Sequence, residues 1–290
     1  MLLFSSLISG LAIGSMYGLL ALGYHVTWAV SRTVNFALGS SMMLGAVFCY
    51  SLAVTFGWPI LLAVPASLVL CVLYGLLVER VAVRPFRQRN SDAWLMATVA
   101  AGILVDNIVL FTFGKEPRGM PSALAEAPLM IFGAGVMPLQ LVIPAVGIGI
   151  ALAFWAASKY TGYGKAMLAV VQNARAAQLM GISVPAVIMF SYGLSALLAG
   201  VAGILIAPLY TVSSTMGFLF GVKAFAVAIL GGMDNPWGVV AAGLIFGVIE
   251  AMVIALFGSS YTYILTFGLV IGLLVLRPHG LFGRAGVNKV

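Results

Sequence analysis

The stretch "MLLFSSLISGLAIGSMYGLLALGY" (residues 1–24) is apolar over most of its length and contains no charged side chain. A membrane-spanning helix needs about 20 such residues to cross the hydrocarbon core of a bilayer. A secretory signal peptide would instead begin with a basic region and end at a small-residue cleavage site. This stretch has neither feature, so we interpret it as a retained membrane span.

Apolar runs of this kind recur along the whole chain, which is 63% hydrophobic and only 7% charged. Soluble domains carry about 25% charged residues. Between 217 and 257 the passage "GGMDNPWG" (231–238) divides a longer apolar region into a half-helix near 222–232, a turn and a full span. The other predicted spans cover residues 2–30, 34–57, 59–79, 93–114, 138–158, 186–210 and 259–276. The sequence therefore predicts one all-α integral membrane domain over residues 1–290, a polytopic helical bundle of eight or nine segments with broken or half helices.

The charged residues predict how this bundle lies in the membrane. Cytoplasmic loops are enriched in Lys and Arg, and the short loop 115–137 has two basic and two acidic residues, which favours the outer side. The basic residues form three clusters between apolar runs: Arg80, Arg84, Arg87 and Arg89; Lys159, Lys165 and Arg175; Arg277, Arg284 and Lys289. We expect the N-terminus outside and the C-terminus in the cytoplasm. The net charge of +7 comes largely from these clusters and does not indicate a nucleic-acid partner.

The sequence contains no recognisable catalytic or metal-binding pattern. His25 and His279 are the only histidines and lie far apart, and Cys49 and Cys71 lie inside apolar runs without metal-ligand spacing. The passage "TGYGKA" (161–166) lacks the remaining residues of a phosphate-binding loop and follows no strand. We predict that this chain is not an enzyme and binds neither a metal nor a cofactor.

Glycines spaced four residues apart predict close helix packing, since small residues let helix backbones approach within lipid. These glycines are Gly10, Gly14 and Gly18; Gly217 and Gly221; Gly243 and Gly247; Gly268 and Gly272. A faint echo between "YGLLVER" (74–80) and "FGVIEAM" (246–252) is typical of transporters built from internal repeats.

Four ionisable residues fall at or near membrane depth, where they are costly and often mark a pathway. Glu79 adjoins Arg80 at a predicted boundary, whereas Asp106 and its neighbour Asn107 lie inside a span. Lys223 either pairs with Glu250 or extends its amine toward the interface.

Two passages predict broken helices, which are tolerated at membrane depth where they line a cavity or are buried in protein. They are "TVNFALGSSMMLGA" (33–46) and "AFAVAILGGMDNPWGVVAAG" (224–243). The alternatives are a tight packing notch for the first passage and, favoured for the second, an ordinary cytoplasmic turn. The candidate pathway residues are Asn35, Phe36, Leu38, Gly39, Ser40, Asp106, Asn107, Gly231 and Gly232.

The passage "GYGKAMLAVVQNARAAQLMGISV" (162–184) is unusually polar and lies between two spans. Asn173 is suited to cap a short helix, "ARAAQLM" (174–180), and Gly181 to end it. Such a helix either inserts into a cleft of a partner protein or lies on the bilayer surface.

Four passages resemble one protein family: 164–184 within the polar segment, "NFALGSSMMLGA" (35–46), "AFAVAILGGMDNPWGVVAAGLIFGVIE" (224–250) and "RPHGLFG" (277–283). Together they resemble the permease subunits of bacterial branched-chain amino acid ABC importers, the family of LivH and LivM, from about residue 10 to 283. The length and short N-terminus are closer to LivH. The chain departs from the family pattern in three places: Leu168 replaces a frequent Arg, the acidic residue frequent near Arg175 is missing, and Leu38 replaces a frequent His or Gln.

The resemblance implies a permease of the bacterial inner membrane that is powered by separate subunits. Its implied partners are a homologous second permease, two cytoplasmic ATP-binding subunits and a periplasmic substrate-binding protein. The implied ATPase-coupling residues are Gly164, Gln172, Asn173, Arg175, Ala176, Ala177, Leu179 and Gly181. We expect Ala177, in the middle of the short helix, to meet the ATPase.

The expected solutes are branched-chain or other small hydrophobic amino acids. If Leu38 lines the pathway, the pathway is more apolar than usual, which favours aromatic carboxylates among the alternatives; urea and amides are carried by other relatives. A different class, an ion-coupled secondary transporter or channel, would use the charges at Asp106, Lys223 and Glu250.

Overall fold

The computed structural model describes residues 2–89, 91–122, 124–125, 127–131, 134–277 and 280–283. Its helices are α1 (Leu2–Ser31), α2 (Leu38–Tyr50), α3 (Ile60–Val78), α4 (Arg84–Gln88), α5 (Trp94–Phe113), α6 (Pro138–Tyr160), α7 (Gly162–Leu179), α8 (Val184–Ile206), α9 (Met216–Gly231), α10 (Pro236–Phe257) and α11 (Thr262–Leu276). A π-helical turn, Ser51–Thr55, extends α2, another, Glu79–Val83, joins α3 to α4, and a 3₁₀ turn, Ser259–Tyr261, precedes α11. Strands β1 (Leu129–Ile131) and β2 (Ala134–Val136) form one antiparallel hairpin.

Eight helical stretches in the described part of the chain are long and apolar enough to cross a membrane, and α9 is a shorter apolar helix. The prediction of a polytopic all-α membrane bundle with eight or nine segments is therefore confirmed. Arg284 and Lys289 of the third basic cluster, together with His279 and Glu126, lie outside the described residues.

The helices alternate in direction, and contacts between connecting segments identify the two ends of the bundle. At one end Arg118, after α5, and Val212, after α8, exchange backbone hydrogen bonds of 2.9 and 2.8 Å. At the other end Arg32, after α1, forms a 2.9 Å ion pair with Asp234 in the turn before α10. The basic clusters at Arg80 and Lys159 belong to the Arg32 end by this alternation. That this end faces the cytoplasm remains our prediction from the distribution of charge.

The first predicted helix break is present over residues 32–37 and lies inside the bundle, whereas residues 38–46 of the predicted passage are helical. The chain leaves α1 at Ser31 and runs back in non-helical conformation before α2 begins at Leu38. The Leu38 side chain packs against Gly23 of α1. Because Gly23 lies eight residues before the end of α1, at ~1.5 Å of rise per residue the start of α2 lies about 12 Å inside the bundle. Segment 32–37 therefore re-enters the membrane region as irregular backbone.

The same arrangement occurs in reverse near the second predicted break. From the Val212 end, a non-helical segment leads inward to Met216, where α9 begins. Gly217 and Gly221 of α9 pack directly on the backbone of Gly39 in the first turn of α2. Helix α9 has 16 residues and begins earlier than the predicted half-helix near 222–232. It returns the chain to the Arg32 end, where Asp234 pairs with Arg32.

Two three-helix units of the core have the arrangement expected of an inverted repeat. The unit α1–α2–α3 and the unit α8–α9–α10 run in opposite directions, and the two units interlock: α1 packs on α10, and α8 packs on α3. Gly75 of α3 packs on the Tyr192 carbonyl of α8, and Gly247 of α10 packs on Gly14 of α1. The faint sequence echo between 74–80 and 246–252 thus corresponds to equivalent helix contacts.

Glycine packing holds this core together at most of the predicted positions. A Cβ atom on Gly14 would lie 2.7 Å from the Gly243 carbonyl oxygen, and Gly10 and Gly247 meet similar backbone contacts. Gly18, Gly217 and Gly221 also face other helices. Around Gly268 and Gly272, by contrast, the described residues leave open space. The prediction of close packing is therefore wrong for this last pair within the single chain.

Candidate translocation cavity and coupling segment

A cavity of about 180 Å³ lies where the two irregular segments meet inside the bundle. Its walls come from α1, the break before α2, α5 and α9. Four predicted pathway residues line it: Phe36, Gly39, Ser40 and Asp106. Tyr24, Gly102, Gly217, Gly221 and Phe225 complete much of the wall. Pockets for drug-sized ligands have volumes of roughly 300 Å³ or more. The smaller volume of this cavity suits a small solute.

The cavity wall is mostly apolar and aromatic, with a few polar groups. Phe225 packs edge-on against Phe36, with ring centroids 5.1 Å apart, and against Tyr24, 5.5 Å apart. The Tyr24 hydroxyl donates to the Gly221 carbonyl at 3.2 Å, and the Ser40 hydroxyl to the Gly102 carbonyl at 3.4 Å. The Asp106 carboxylate is the one charged group on this wall among the described residues.

Two helices begin at the cavity. Gly39 and Ser40 belong to the first turn of α2, and Gly217 and Phe218 to the first turn of α9. The N-terminus of a helix carries a partial positive charge and free backbone N–H groups. The breaks that the sequence predicted therefore bring polar backbone to membrane depth beside the cavity.

Asn35 organises the break and does not line the cavity. Its side chain is fully buried, and its Oδ1 atom accepts a 3.1 Å hydrogen bond from the backbone N–H of Ala37. The backbone carbonyl of Asn35 accepts the N–H of Leu38 at 3.1 Å. These bonds satisfy backbone groups that a broken helix would otherwise leave unpaired.

The structure corrects two candidate pathway residues near this cavity. Leu38 is fully buried and faces Gly23 of α1 at the core side of α2, so it does not make the cavity more apolar. Asn107 is exposed on the outer face of α5, where its amide donates to the Ile103 carbonyl at 2.8 Å. Its neighbour Asp106 points into the cavity because successive residues of a helix point in directions about 100° apart.

Gly231 and Gly232 are also placed away from the cavity. Gly231 packs closely on the Val239 and Gly238 backbones, and Gly232, with φ of 82°, starts the turn into α10. Leu281 donates its N–H to the Leu230 carbonyl at 2.6 Å, which fixes the segment 280–283 over this turn. The second predicted break is therefore a turn at the Arg32 end, the alternative that we favoured.

The remaining ionisable residues at membrane depth have structural positions. Lys223 of α9 and Glu250 of α10 form a buried ion pair, and the Lys223 amine also lies 4.8 Å from the Tyr263 ring centroid. Pairing, one of the two predicted alternatives for Lys223, is therefore present. Glu79 is buried in the π-helical turn between α3 and α4.

Sequence reasoning missed several cavity residues. Tyr24, Phe218 and Phe225 lie in largely apolar helices, α1 and α9, whose composition gives no sign of which side faces a cavity. Gly217 and Gly221 were identified only as packing residues, and Gly102 was not singled out. The spacing of the glycines was the one available signal, since Gly217 and Gly221 both face the break at Gly39.

The polar segment after α6 forms two helices separated at Asn173. The first starts after Thr161, whose hydroxyl accepts the N–H of Gly164 at 3.1 Å. Gly164 packs directly on the backbone of Ala157 and Ser158 at the end of α6, where no larger residue would fit. At Asn173 the backbone leaves helical geometry, with φ of −159° and ψ of 100°.

The second helix has the predicted caps at both ends. The Asn173 side-chain oxygen accepts the N–H of Ala176 at 3.0 Å, as an N-cap does. At the far end Gly181 has φ of 87°, and Ile182 donates its N–H to the Ala177 carbonyl at 3.0 Å. This 6→1 bond, with the bond from Gly181 to Gln178, forms a Schellman motif. We call the stretch from Ala174 to Met180 the capped helix.

The capped helix presents a large apolar surface at its end. Leu179 and Met180 are 85% and 83% exposed, and Gln172, Arg175, Ala176 and Gln178 are exposed as well. Ala177 is only 4% exposed and faces the rest of the chain. The expectation that Ala177 meets a partner is therefore corrected: Ala177 fixes the helix to its own bundle, and its exposed neighbours form the outer surface.

The chain is similar to known permeases over nearly its whole length. The family described as branched-chain amino acid transport system / permease component matches residues 6–274. The chain is 31% identical to the high-affinity branched-chain amino acid transport system permease protein LivH of Escherichia coli (strain K12), covering 97% of this chain and 96% of that one. It is 30% identical to the corresponding protein BraD of Pseudomonas aeruginosa, covering 98% and 97%.

A similar fold occurs in the solved structure of PsaBC from Streptococcus pneumoniae in complex with Fab. The TM-score is 0.50 at 15% identity, and the match covers 96% of this chain and 95% of that chain. At this identity the likeness concerns the fold alone. The helical bundle, the re-entrant breaks and the match over residues 6–274 lead to one conclusion: the chain is a multi-pass membrane protein that belongs to the family of branched-chain amino acid transport permease components.

Proposed function

We propose that this chain is one permease subunit of an ABC importer and carries a small hydrophobic amino acid, with branched-chain amino acids as the first candidates. The observation that carries the proposal is the cavity at the two re-entrant breaks. Transporters commonly bind solute near the bilayer midplane, where discontinuous helices present their ends. The positive ends of α2 and α9 suit the carboxylate of an amino acid, and the rings of Phe36 and Phe225 suit an apolar side chain.

We further propose that ATP hydrolysis occurs on separate cytoplasmic subunits and that the capped helix docks on them. The exposed pair Leu179 and Met180 supports this, because two adjacent large apolar side chains at a helix end suit the apolar surface of a partner. The caps at Asn173 and Gly181 hold the pair in a fixed orientation. We expect a periplasmic binding protein to deliver the solute.

A second permease of the same family completes the pathway in this proposal. The cavity lies near exposed residues of α5 and α9, among them Ile103, Phe218 and Val222. Asn107 is also exposed on this face, and an amide facing lipid is unfavourable. A protein partner across this face accounts for both observations.

The alternative solutes have less support from the cavity. Because Leu38 faces α1, the reason that favoured aromatic carboxylates no longer applies. The alternative of an ion-coupled transporter rested on the charges of Asp106, Lys223 and Glu250. Lys223 and Glu250 neutralise each other in a buried ion pair, which weakens this alternative.

Uptake by reconstituted proteoliposomes tests the proposed function. The complete assembly, with both permeases, the ATPase and the binding protein, should import radiolabelled leucine only when ATP is supplied. Omitting the ATPase or the binding protein should abolish uptake. Uptake by this chain alone along an ion gradient would overturn the proposal in favour of a secondary transporter.

A further inference from the structure

We propose that the Asp106 carboxylate binds the protonated amino group of the solute in the cavity. This inference rests on the proposed function and names the residue that selects a solute with an amine. It follows from the position of the carboxylate, its lack of a charged partner and the chemistry of the surrounding wall.

Asp106 occupies a site where an unpaired charge is costly. It lies in the middle part of α5, a span of 20 residues, and lines the cavity. Its Oδ1 atom is buried and accepts no hydrogen bond from the described protein atoms, whereas the Ser40 hydroxyl lies within hydrogen-bonding reach of the carboxylate. A carboxylate at membrane depth normally pairs with a cation or lines an ion or substrate path.

In the described part of the chain, Asp106 forms no salt bridge. Among the described residues that line the cavity there is no Lys, Arg or His. Glu250, another acid at membrane depth, has Lys223 as its partner, and the Arg32–Asp234 pair lies at the end of the bundle. Within the described residues, only the N-termini of α2 and α9 offer Asp106 a partial positive charge, so a full positive charge would come from the solute.

The rest of the wall favours an organic ammonium group with an apolar body. Phe36 and Phe225 face the cavity, and aromatic faces attract cations as well as apolar groups. A solute whose only charge is negative would meet an uncompensated carboxylate, and a neutral amide would leave it unpaired. Among the candidate solutes, a zwitterionic amino acid is the one that supplies the positive charge.

Equilibrium binding to the assembled complex tests this inference. The probes are L-leucine and 2-hydroxy-4-methylpentanoate, which differ in that a hydroxyl replaces the amine. Binding is measured on the permease–ATPase complex in lipid nanodiscs without the binding protein, in sodium-free buffer. We expect leucine to bind at least about tenfold more tightly than the hydroxy acid, because the amine pairs with a buried charge. In the Asp106→Asn variant this preference should disappear, and in Asp106→Glu it should persist.

Each other result overturns the inference. If the unmodified complex binds the two probes equally, the inference is wrong, and no variant is needed to show it. The inference is also overturned if the Asp106→Asn variant still prefers leucine. It is overturned as well if this variant loses affinity for both probes equally, because that result would indicate a structural role. If leucine binds only when sodium is present, the carboxylate holds an inorganic cation instead. The uptake assay tests the proposed function separately. If the complex imports leucine with ATP but shows no preference for the amine, only the role of Asp106 is refuted and the proposed function stands.

Discussion

Single glycine positions test the packing of the core. Gly14 lies against the backbone of Gly243 and Leu244, so the Gly14→Ala variant would force α1 and α10 apart. We expect a loss of about 1–3 kcal/mol in stability, as overpacking typically produces. Gly272→Ala is the matched control, because nothing lies within 4 Å of its added Cβ. Thermal denaturation in detergent should show a lower Tm for Gly14→Ala only; equal Tm values would contradict this packing.

Residue roles could be predicted from the sequence where local chemistry decides them. Asn173 and Gly181 cap a short helix because of their own backbone and side-chain properties, and both predictions are confirmed. Leu38 and Ala177 were assigned to the wrong side of their helices. Which side of a helix faces the core depends on neighbouring helices, and in an apolar chain the sequence pattern does not reveal it.

The capped helix allows a prediction at the level of one element. Leu179→Glu should leave the stability of the permease within about 0.5 kcal/mol, since the side chain is exposed. The same variant should no longer co-purify with the ATPase, because a carboxylate would replace an apolar contact. Leu179→Met, which keeps the apolar surface, serves as the control.

Ala177→Glu separates the two faces of this helix. Ala177 is buried in its own chain, so the new carboxylate should destabilise the permease by several kcal/mol and lower its Tm. Normal ATPase binding by Leu179→Glu would contradict docking through Leu179. A stable Ala177→Glu permease that fails only to bind the ATPase would show that the assigned faces are reversed.

The positions of the helices in the sequence were predicted more accurately than their depth inside the bundle. The predicted spans correspond to helices, and the break near Asn35 is present, with the Asn35 side chain bonded to its backbone; Gly39, Ser40 and Ser41 lie in α2. That segment 32–37 turns back into the bundle was not predictable. The depth of α2 is set by contacts of Leu38 with Gly23 and of Gly39 with Gly217, which connect distant parts of the chain.

At the scale of the whole molecule, the inverted repeat explains why the cavity lies where it does. The two repeats contribute one re-entrant segment each, from opposite ends, and the segments meet at Gly39 and Gly217. Asp106 comes from α5, outside the two repeat units, so the charge of the cavity is asymmetric. The sequence echo between 74–80 and 246–252 was too weak to predict this arrangement, since it covers only one helix of each unit.

The exposed face of α5 predicts where a second permease binds. Asn107 lies on this face at membrane depth, whereas Val69, on the exposed face of α3, belongs to an entirely apolar helix surface. We expect a photo-crosslinking amino acid in place of Asn107 to join this chain to another permease in membranes that contain the full assembly. The same amino acid in place of Val69, which should face lipid, is the control and should give little protein product. The mass of the product distinguishes a second copy from a different permease. If position 69 crosslinks to a permease and position 107 does not, the partner covers α3 instead, and the cavity is enclosed by this chain alone.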